Sequence, residues 1–397
     1  MSETGASPQQ LSGLRVVDFT RALSGPFCAQ MLGDMGAEVI KVEAREGGDD
    51  SRSWGPPFIG EESTYFFSAN RNKRSLTLDL KKGPEVAQRL LERADVIIEN
   101  FSPGTMKRLG LGYEQVASYN PEVIYCSISG YGQDGPGSQL PGYDMTAQGA
   151  GGLMSVTGHD APTRVGVSVA DITTGMFSAY AIMTALFHRQ RSGKGQYIDT
   201  SLVGSVVALM THHASAYLNA GKVAGLQGNT HSTIAPYETL PTRDGYINVG
   251  VANERLWQRF CACVGLEQLA NDPRFASNAS RVSNRKELAA IVTGQFAGCS
   301  TAELVTRLQA AGVPADAIRP IDEVFADPQV QHLGLCLGME HATAGHIEVA
   351  GMPYRLSLTP GAVRLPPPTL GQHNAEVLGE LGYSAQEVEH FRETQVI

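Results

Sequence analysis

LRVVDFTRALSGPFCAQMLGDMGAEVIKVE, residues Leu14–Glu43, decides the fold. LRVVDF (Leu14 to Phe19) is short and rich in apolar and β-branched residues, the texture of a strand buried on both faces. Ser24, Gly25 and Pro26 interrupt it, and FCAQMLGDMGA then carries apolar residues at helical spacing. EVIKVE (Glu38 to Glu43) returns to a strand. Two strands joined through a helix run parallel, so the chain opens with a β-α-β unit.

The alternation continues outward. SLTLDL reads as a strand, PEVAQRLLERA as a helix with Pro in its first turn, DVIIEN as a strand. A loop, a short helix near Thr105 to Leu109 and the strand EVIYCSISGY follow. This order predicts an α/β large domain built on a doubly wound, Rossmann-like parallel sheet. A long apolar helix is expected from Ile172 to Arg189, then the strand YIDTSL and one further helix over VGSVVALMTHHASAYLNAG. Near Gly221 the composition shifts towards Gly, Asn, Thr and Ser. YINVGV and several helices then form a second unit before strand-and-turn texture returns in HIEVAG and RLPPPTLG. The expected division is a large domain over 1–200, a linking helical region over 201–224, an inserted smaller α+β domain over 225–325, and a return to the large domain over 326–397.

The chain has 397 residues, 42% hydrophobic and 18% charged, with a net charge of -9. That charge opposes general binding to nucleic acid or anionic membranes. No apolar run reaches the ~18 residues expected of a membrane span, and the polar start MSETGASPQQ shows no export signal. The six cysteines contain no C-x-x-C pair, which points to a reduced, cytoplasmic protein without a zinc site. Adjacent His212 and His213 point to different helix faces and do not form a metal pair; no metal and no permanently bound cofactor are expected.

Glu43 lies where a dinucleotide fold places its ribose-binding acid, but TRALSGP lacks the G-x-G-x-x-G spacing. A nicotinamide-dependent dehydrogenase is therefore the weaker rival. Two stretches are candidate phosphate cradles or simply solvated basic faces: NRNKRS (Asn70 to Ser75) and ENFSPGTMKRLG (Glu99 to Gly110), the latter with Lys107 and Arg108. GVSVADITTGMF (Gly166 to Phe177) places one carboxylate, Asp171, where an apolar run gives way to the long helix. Asp171 suits a helix N-cap, and the same place suits a nucleophile kept ionised by the helix N–H groups. Spacing alone leaves cap, metal ligand and nucleophile open.

The set LSGLRVVDFT, GAEVIKVE, NKRSLTLDLK, ADVIIENFSPG, PGYDMTAQ, GGLMSVTG, VADITTGM and SGKGQYIDTSL resembles the family III CoA-transferases, the group of the formyl-CoA:oxalate and carnitine-related enzymes. The likeness runs on through YETLPTRDGYINV, GVPADAI, DEVFADPQVQ and LGQHNAEVLGELG. It implies transfer of CoA from an acyl-CoA thioester, the substrate form of the coenzyme, to a carboxylic acid acceptor, with Asp171 in a D-x-x-T-G-M motif as nucleophile. It also implies an interlocked homodimer. CoA contacts implied by the resemblance fall around Arg21 to Gly25, Ala22 included, and on Leu78, Lys81, Asn100, Phe101 and Arg108, with Tyr143 and Asp144 beside the active site.

The chain departs from its relatives at Leu23, where several carry a glutamine, and at Ala44, followed by Arg45, where some carry a cation. It also lacks the glycine-rich loop of the oxalate enzyme; GNTHSTIAPY (Gly228 to Tyr237) is the nearest substrate-side loop. A small dicarboxylic acid with a succinyl-type donor is expected, with Arg21, Arg164, His212, His213 and His231 as candidates for the second carboxylate. The 2-methylacyl-CoA racemases are similar too, but they use a histidine before an aspartate; here Gly142-Tyr143-Asp144 offers a tyrosine, a poor base at neutral pH. A catalytically idle CoA-binding protein would be expected to have lost Asp171.

Overall fold

The computed structural model describes residues 9–397; residues 1–8, most of the polar start in which no export signal is read, lie outside the described residues. Six strands form one sheet: β1 (Arg15–Asp18), β2 (Glu38–Glu43), β3 (Lys73–Thr77), β4 (Val96–Glu99), β5 (Ile124–Ser129) and β6 (Gln196–Ser201). Their order is β3-β2-β1-β4-β5-β6 and every pairing is parallel. The doubly wound expectation is met, and the order reverses between β1 and β4.

Alternation along each strand explains why helices cover both faces. Val17, Ile97 and Tyr125 join one apolar layer, and Val16, Val96, Ile98 and Cys126 join the other. The main helices here are α1 (Ser24–Asp34), α2 (Pro84–Leu91), α3 (Asp144–Ala150) and α4 (Val169–Ser192). Val86 and Leu90 of α2 pack in the first layer with Val377 and Val388 near the carboxyl end. Cys28 and Leu32 of α1 pack in the second with Ala179 and Ile182 of α4.

The described residues divide into two units. One runs up to Leu153 and includes Arg164–Lys222 and Pro328–Ile397; the other comprises Met154–Thr163 and Val223–Asp327. The second has a three-stranded antiparallel sheet from Tyr237–Pro241, Tyr246–Gly250 and Ala315–Ala317. Its own core gathers Trp257, Phe260, Val292, Phe296 and Leu304 from the surrounding helices.

Three local expectations change. The helix expected over VGSVVALMTHHASAYLNAG is two, α5 (Leu202–Leu209) and α6 (Thr211–Ala220), broken where Thr211 adopts a φ of 31°. Strand β3 starts at Lys73, so the cations of NRNKRS lie inside the fold rather than in a phosphate cradle. Arg71 donates to both carboxylate oxygens of Asp34 at 2.9 and 2.7 Å. The Lys73 ammonium donates to Asp18, Asn70 and the Pro26 carbonyl. Arg74 pairs with Glu376, Glu380 and Glu38. Finally, α4 is long and apolar enough to cross a membrane by length and composition, contrary to the reading of short apolar runs. Its buried face, with Ala179, Ile182, Ala185 and Leu186, closes the sheet layer beside α1.

Candidate active site

Loops leaving the carboxyl ends of parallel strands have no further strand to pair with, so they splay apart where the strand order reverses and leave a crevice there. In this chain Asn100, just past β4, bridges that crevice to the loop after β1. Its side-chain oxygen accepts the Arg21 N–H at 2.9 Å and its amide donates to the Arg21 carbonyl at 2.8 Å. Ala22 is held at a φ of 67°, in the left-handed region, and donates its N–H to Asp49 at 3.0 Å. The loop is thus fixed from two sides.

Two cavities open along these strand ends and share Arg21 and Phe101 in their walls. The longer, about 560 Å³, is lined after β1 by Thr20 and Arg21, after β2 by Glu43 to Glu46, and after β3 by Leu78 to Lys82. Four cations, Arg21, Arg45, Lys81 and Lys82, and four carboxylates, Glu43, Glu46, Asp49 and Asp79, line it. The smaller, about 240 Å³, holds Asp171 together with Ser24, Asp50, Trp54, Asn100, Ser129, Gly130 and Tyr143.

Asp171 sits in the first turn of α4, three residues after the N-cap Ser168, so it is not the cap. Sequence reading missed this because α4 begins at Val169, three residues before the expected start. The half-buried Asp171 carboxyl is not held ionised by the helix end. Burial and the neighbouring Asp144 raise it to about 7, because both disfavour a second negative charge. The hydroxyls of Thr173 and Thr174 bond back to the Val169 and Ala170 carbonyls of α4.

Glycines set the approach of the walls. A Cβ on Gly175 would lie 2.6 Å from the Ser24 carbonyl oxygen, so only glycine lets the start of α1 meet α4 beside Asp171. Gly130 and Gly142 likewise press backbone on backbone, with a Cβ on either coming within 2.8 Å of the other's Cα.

The residues expected from sequence are placed as follows. Arg21, Ala22, Asn100, Phe101 and Tyr143 line the Asp171 cavity; Leu78 and Lys81 line the longer one. Tyr143 is 66% exposed, whereas Asp144 is buried and serves the protein interior. Arg108 lies outside both linings and donates to Thr105 at 2.8 Å. Leu23 is buried at the N-cap of α1, outside the lining. Arg164 approaches Asp144 at 4.0 Å. His212 and His213, expected to point to different helix faces, instead bring their rings within 4.0 Å, tilted, on α6 and outside the Asp171 lining. His231 belongs to the second unit, beside Tyr237 in a separate groove. Ser24 falls in the segment around Arg21 to Gly25 that the resemblance implied; Asp50, Trp54 and Lys82 went unrecognised, since loops from distant strands bring them together. Among the described residues no group of three or more His, Cys, Asp or Glu side chains is arranged to hold a metal ion.

A sequence model of CoA-transferase family III matches residues 11–374. The succinyl-CoA:glutarate CoA-transferase of Homo sapiens is 44% identical over 94% of this chain and 86% of its own length. The succinate–glutarate CoA-transferase of Agrobacterium fabrum is 43% identical over 94% and 95%. A crystal structure of a CaiB/BaiF family protein from Brucella suis superposes with a TM-score of 0.84 at 40% identity, covering 94% of this chain and 100% of that one.

Proposed function

This chain belongs to CoA-transferase family III, and we propose that it moves CoA from succinyl-CoA to a small dicarboxylic acid of about glutarate size, with Asp171 as the nucleophile. The observation that carries the reading is the carboxyl of Asp171 at the wall of a small cavity adjoining a longer one to which Arg45, Lys81 and Lys82 contribute. The longer cavity suits the phosphorylated, nucleotide end of CoA, with Arg45, Lys81 and Lys82 as phosphate partners. The smaller one suits the thioester and the acid.

The chemistry follows from a carboxylate facing a thioester. An oxygen of Asp171 attacks the acyl carbonyl; the C–S bond breaks, giving a mixed anhydride and free CoA thiolate. The thiolate then attacks the aspartyl carbonyl, releasing the first acid as its carboxylate and leaving CoA in thioester linkage to Asp171. The acceptor carboxylate attacks that thioester, giving a second anhydride and thiolate. Attack of the thiolate on the acceptor's carbonyl delivers the new acyl-CoA and restores Asp171. Each anhydride must be shielded from water, which a cavity of about 240 Å³ favours. Arg21, 47% exposed at its side chain and the cation of this cavity, is the partner for the second carboxylate.

The reading includes a homodimer. Met176, Phe177, Tyr180, Met183 and Phe187 form an exposed apolar stripe on α4, with Tyr180 74% exposed. A second copy of this chain is its occupant. Sedimentation should give a dimer, weakened by Tyr180→Glu; a monomer at micromolar concentration would remove this part. Six unpaired cysteines favour a reducing compartment, the cytoplasm.

The central test combines hydroxylamine trapping of an aspartyl-CoA adduct at Asp171 with product mass from a panel of C4 to C6 diacids. Asp171→Ala is expected to bind CoA, form no adduct and lose exchange. Full exchange by that variant would overturn the reading, and activity confined to zwitterionic acceptors would remove the diacid.

A further inference from the structure

We infer that Asp144 and Gln148 are a positioning pair for the nucleophile, fixing the chain from Val165 to Ala170 and holding a second carboxylate beside Asp171. This rests on Asp171 being the nucleophile. The two residues lie one turn apart on α3, on one face of that helix, and both are buried.

The geometry is a chain of hydrogen bonds. Asp144 Oδ1 accepts the Ala170 N–H at 2.8 Å. That N–H is one of the donors a helix start leaves without an internal partner, and Ser168 makes no side-chain cap bond. The cap of α4 is therefore supplied by another helix. Asp144 Oδ2 accepts from Gln148 Nε2 at 2.8 Å, and Gln148 Oε1 accepts the Val165 N–H at 2.9 Å. Both ends of the Gln148 amide are engaged, so its orientation is set. Val165 and Ala170 bracket the turn that delivers Asp171, and both are pinned to α3.

Charge gives the pair a second effect. Asp171 is negative before attack and neutral once acylated, when the charge has moved to the CoA thiolate. Repulsion from Asp144 is felt by the free carboxylate and relieved in the anhydride and thioester, so it favours attack. The other charged or titratable groups around Asp171 are Tyr65, Asp50, Arg21 and Tyr143, with Arg164 4.0 Å from Asp144. Asp144 is the neighbour that, after burial, raises Asp171.

Asp144→Asn keeps an oxygen for the Ala170 N–H and removes the charge. The rate of CoA release from acyl-CoA should fall at least about tenfold at pH 8, and its acidic limb should move to lower pH. Gln148→Met keeps the charge and cuts the tie to Val165. There kcat should fall about tenfold or more with KM for acyl-CoA and the acidic limb unchanged. Circular dichroism and CoA binding check folding, and if one variant fails to fold the other still decides. A wild-type limb and rate in folded Asp144→Asn, or a wild-type kcat in folded Gln148→Met, overturns the pair. Adduct formation by Asp171→Ala would instead sink the nucleophile itself, so the two failures are distinguishable.

Discussion

Two clusters of buried carboxylates lie along the same strand ends and behave oppositely. Beneath the Arg21 loop, Lys41 meets Asp49 at 2.7 Å and Lys73 meets Asp18 at 2.9 Å, with all four side chains sealed from solvent. Burial pushes Asp49 up, but Lys41 and the Ser51 groups outweigh it and bring the carboxyl to about 2. Asp18 is lowered in the same way against its own burial, by Lys73 and Lys41. At the mouth of the crevice, Asp171 has burial and another carboxylate, and it rises to about 7. The sign is set by the neighbour's charge. Opposite charge lowers a buried carboxyl; like charge raises it further.

The largest expected effect separates the two. Asp171→Ala should cut exchange by about ten-thousandfold or more while the fold survives, because the scaffold's charges are untouched. Retained exchange in the purified variant would erase the contrast. Next is Lys41→Met, which leaves Asp49 buried without its cation. It should destabilise the protein by about 3–5 kcal/mol, read in denaturant unfolding. A change below about 1 kcal/mol would mean the cluster is not held by its opposite charges.

The smallest effect is a stability gap that depends on pH. Folded Asp171 keeps its proton up to about 7, whereas in the unfolded chain it loses it near 4. Between those values the native state binds the extra proton, so its stability contribution falls as pH rises. Asp171→Asn should therefore unfold at a higher temperature than the parent above pH 7, with the gap closing towards pH 4. Asp49 acts the other way: its contribution is present at neutral pH and fades as pH falls towards 2. A parent and Asn variant with equal Tm at pH 8 would break the comparison.

Much of the fold was legible because its strands are buried on both faces, and such strands must be written as apolar runs such as LRVVDF and EVIKVE. Asp171 was legible as a candidate because it falls in the D-x-x-T-G-M motif of the resemblance; its place at a helix start suits an ordinary cap equally well. NRNKRS was misread for a physical reason: charge in a local window cannot reveal whether Asp18, Asp34 and Glu38 wait across the sheet. The cap of α4 was misplaced because its acceptor, Asp144, lies 26 residues earlier than Ala170.

The sequence by itself determined the alternating parallel architecture and the family, and offered Asp171 as a candidate, since periodicity, strand length and a run of local motifs are properties of neighbouring residues. Only the tertiary structure decided which cations face the cavity, which are locked in ion pairs, and what raises Asp171. Electrostatic environment depends on burial and on distances of a few ångströms between residues far apart in the chain, and no local pattern encodes those.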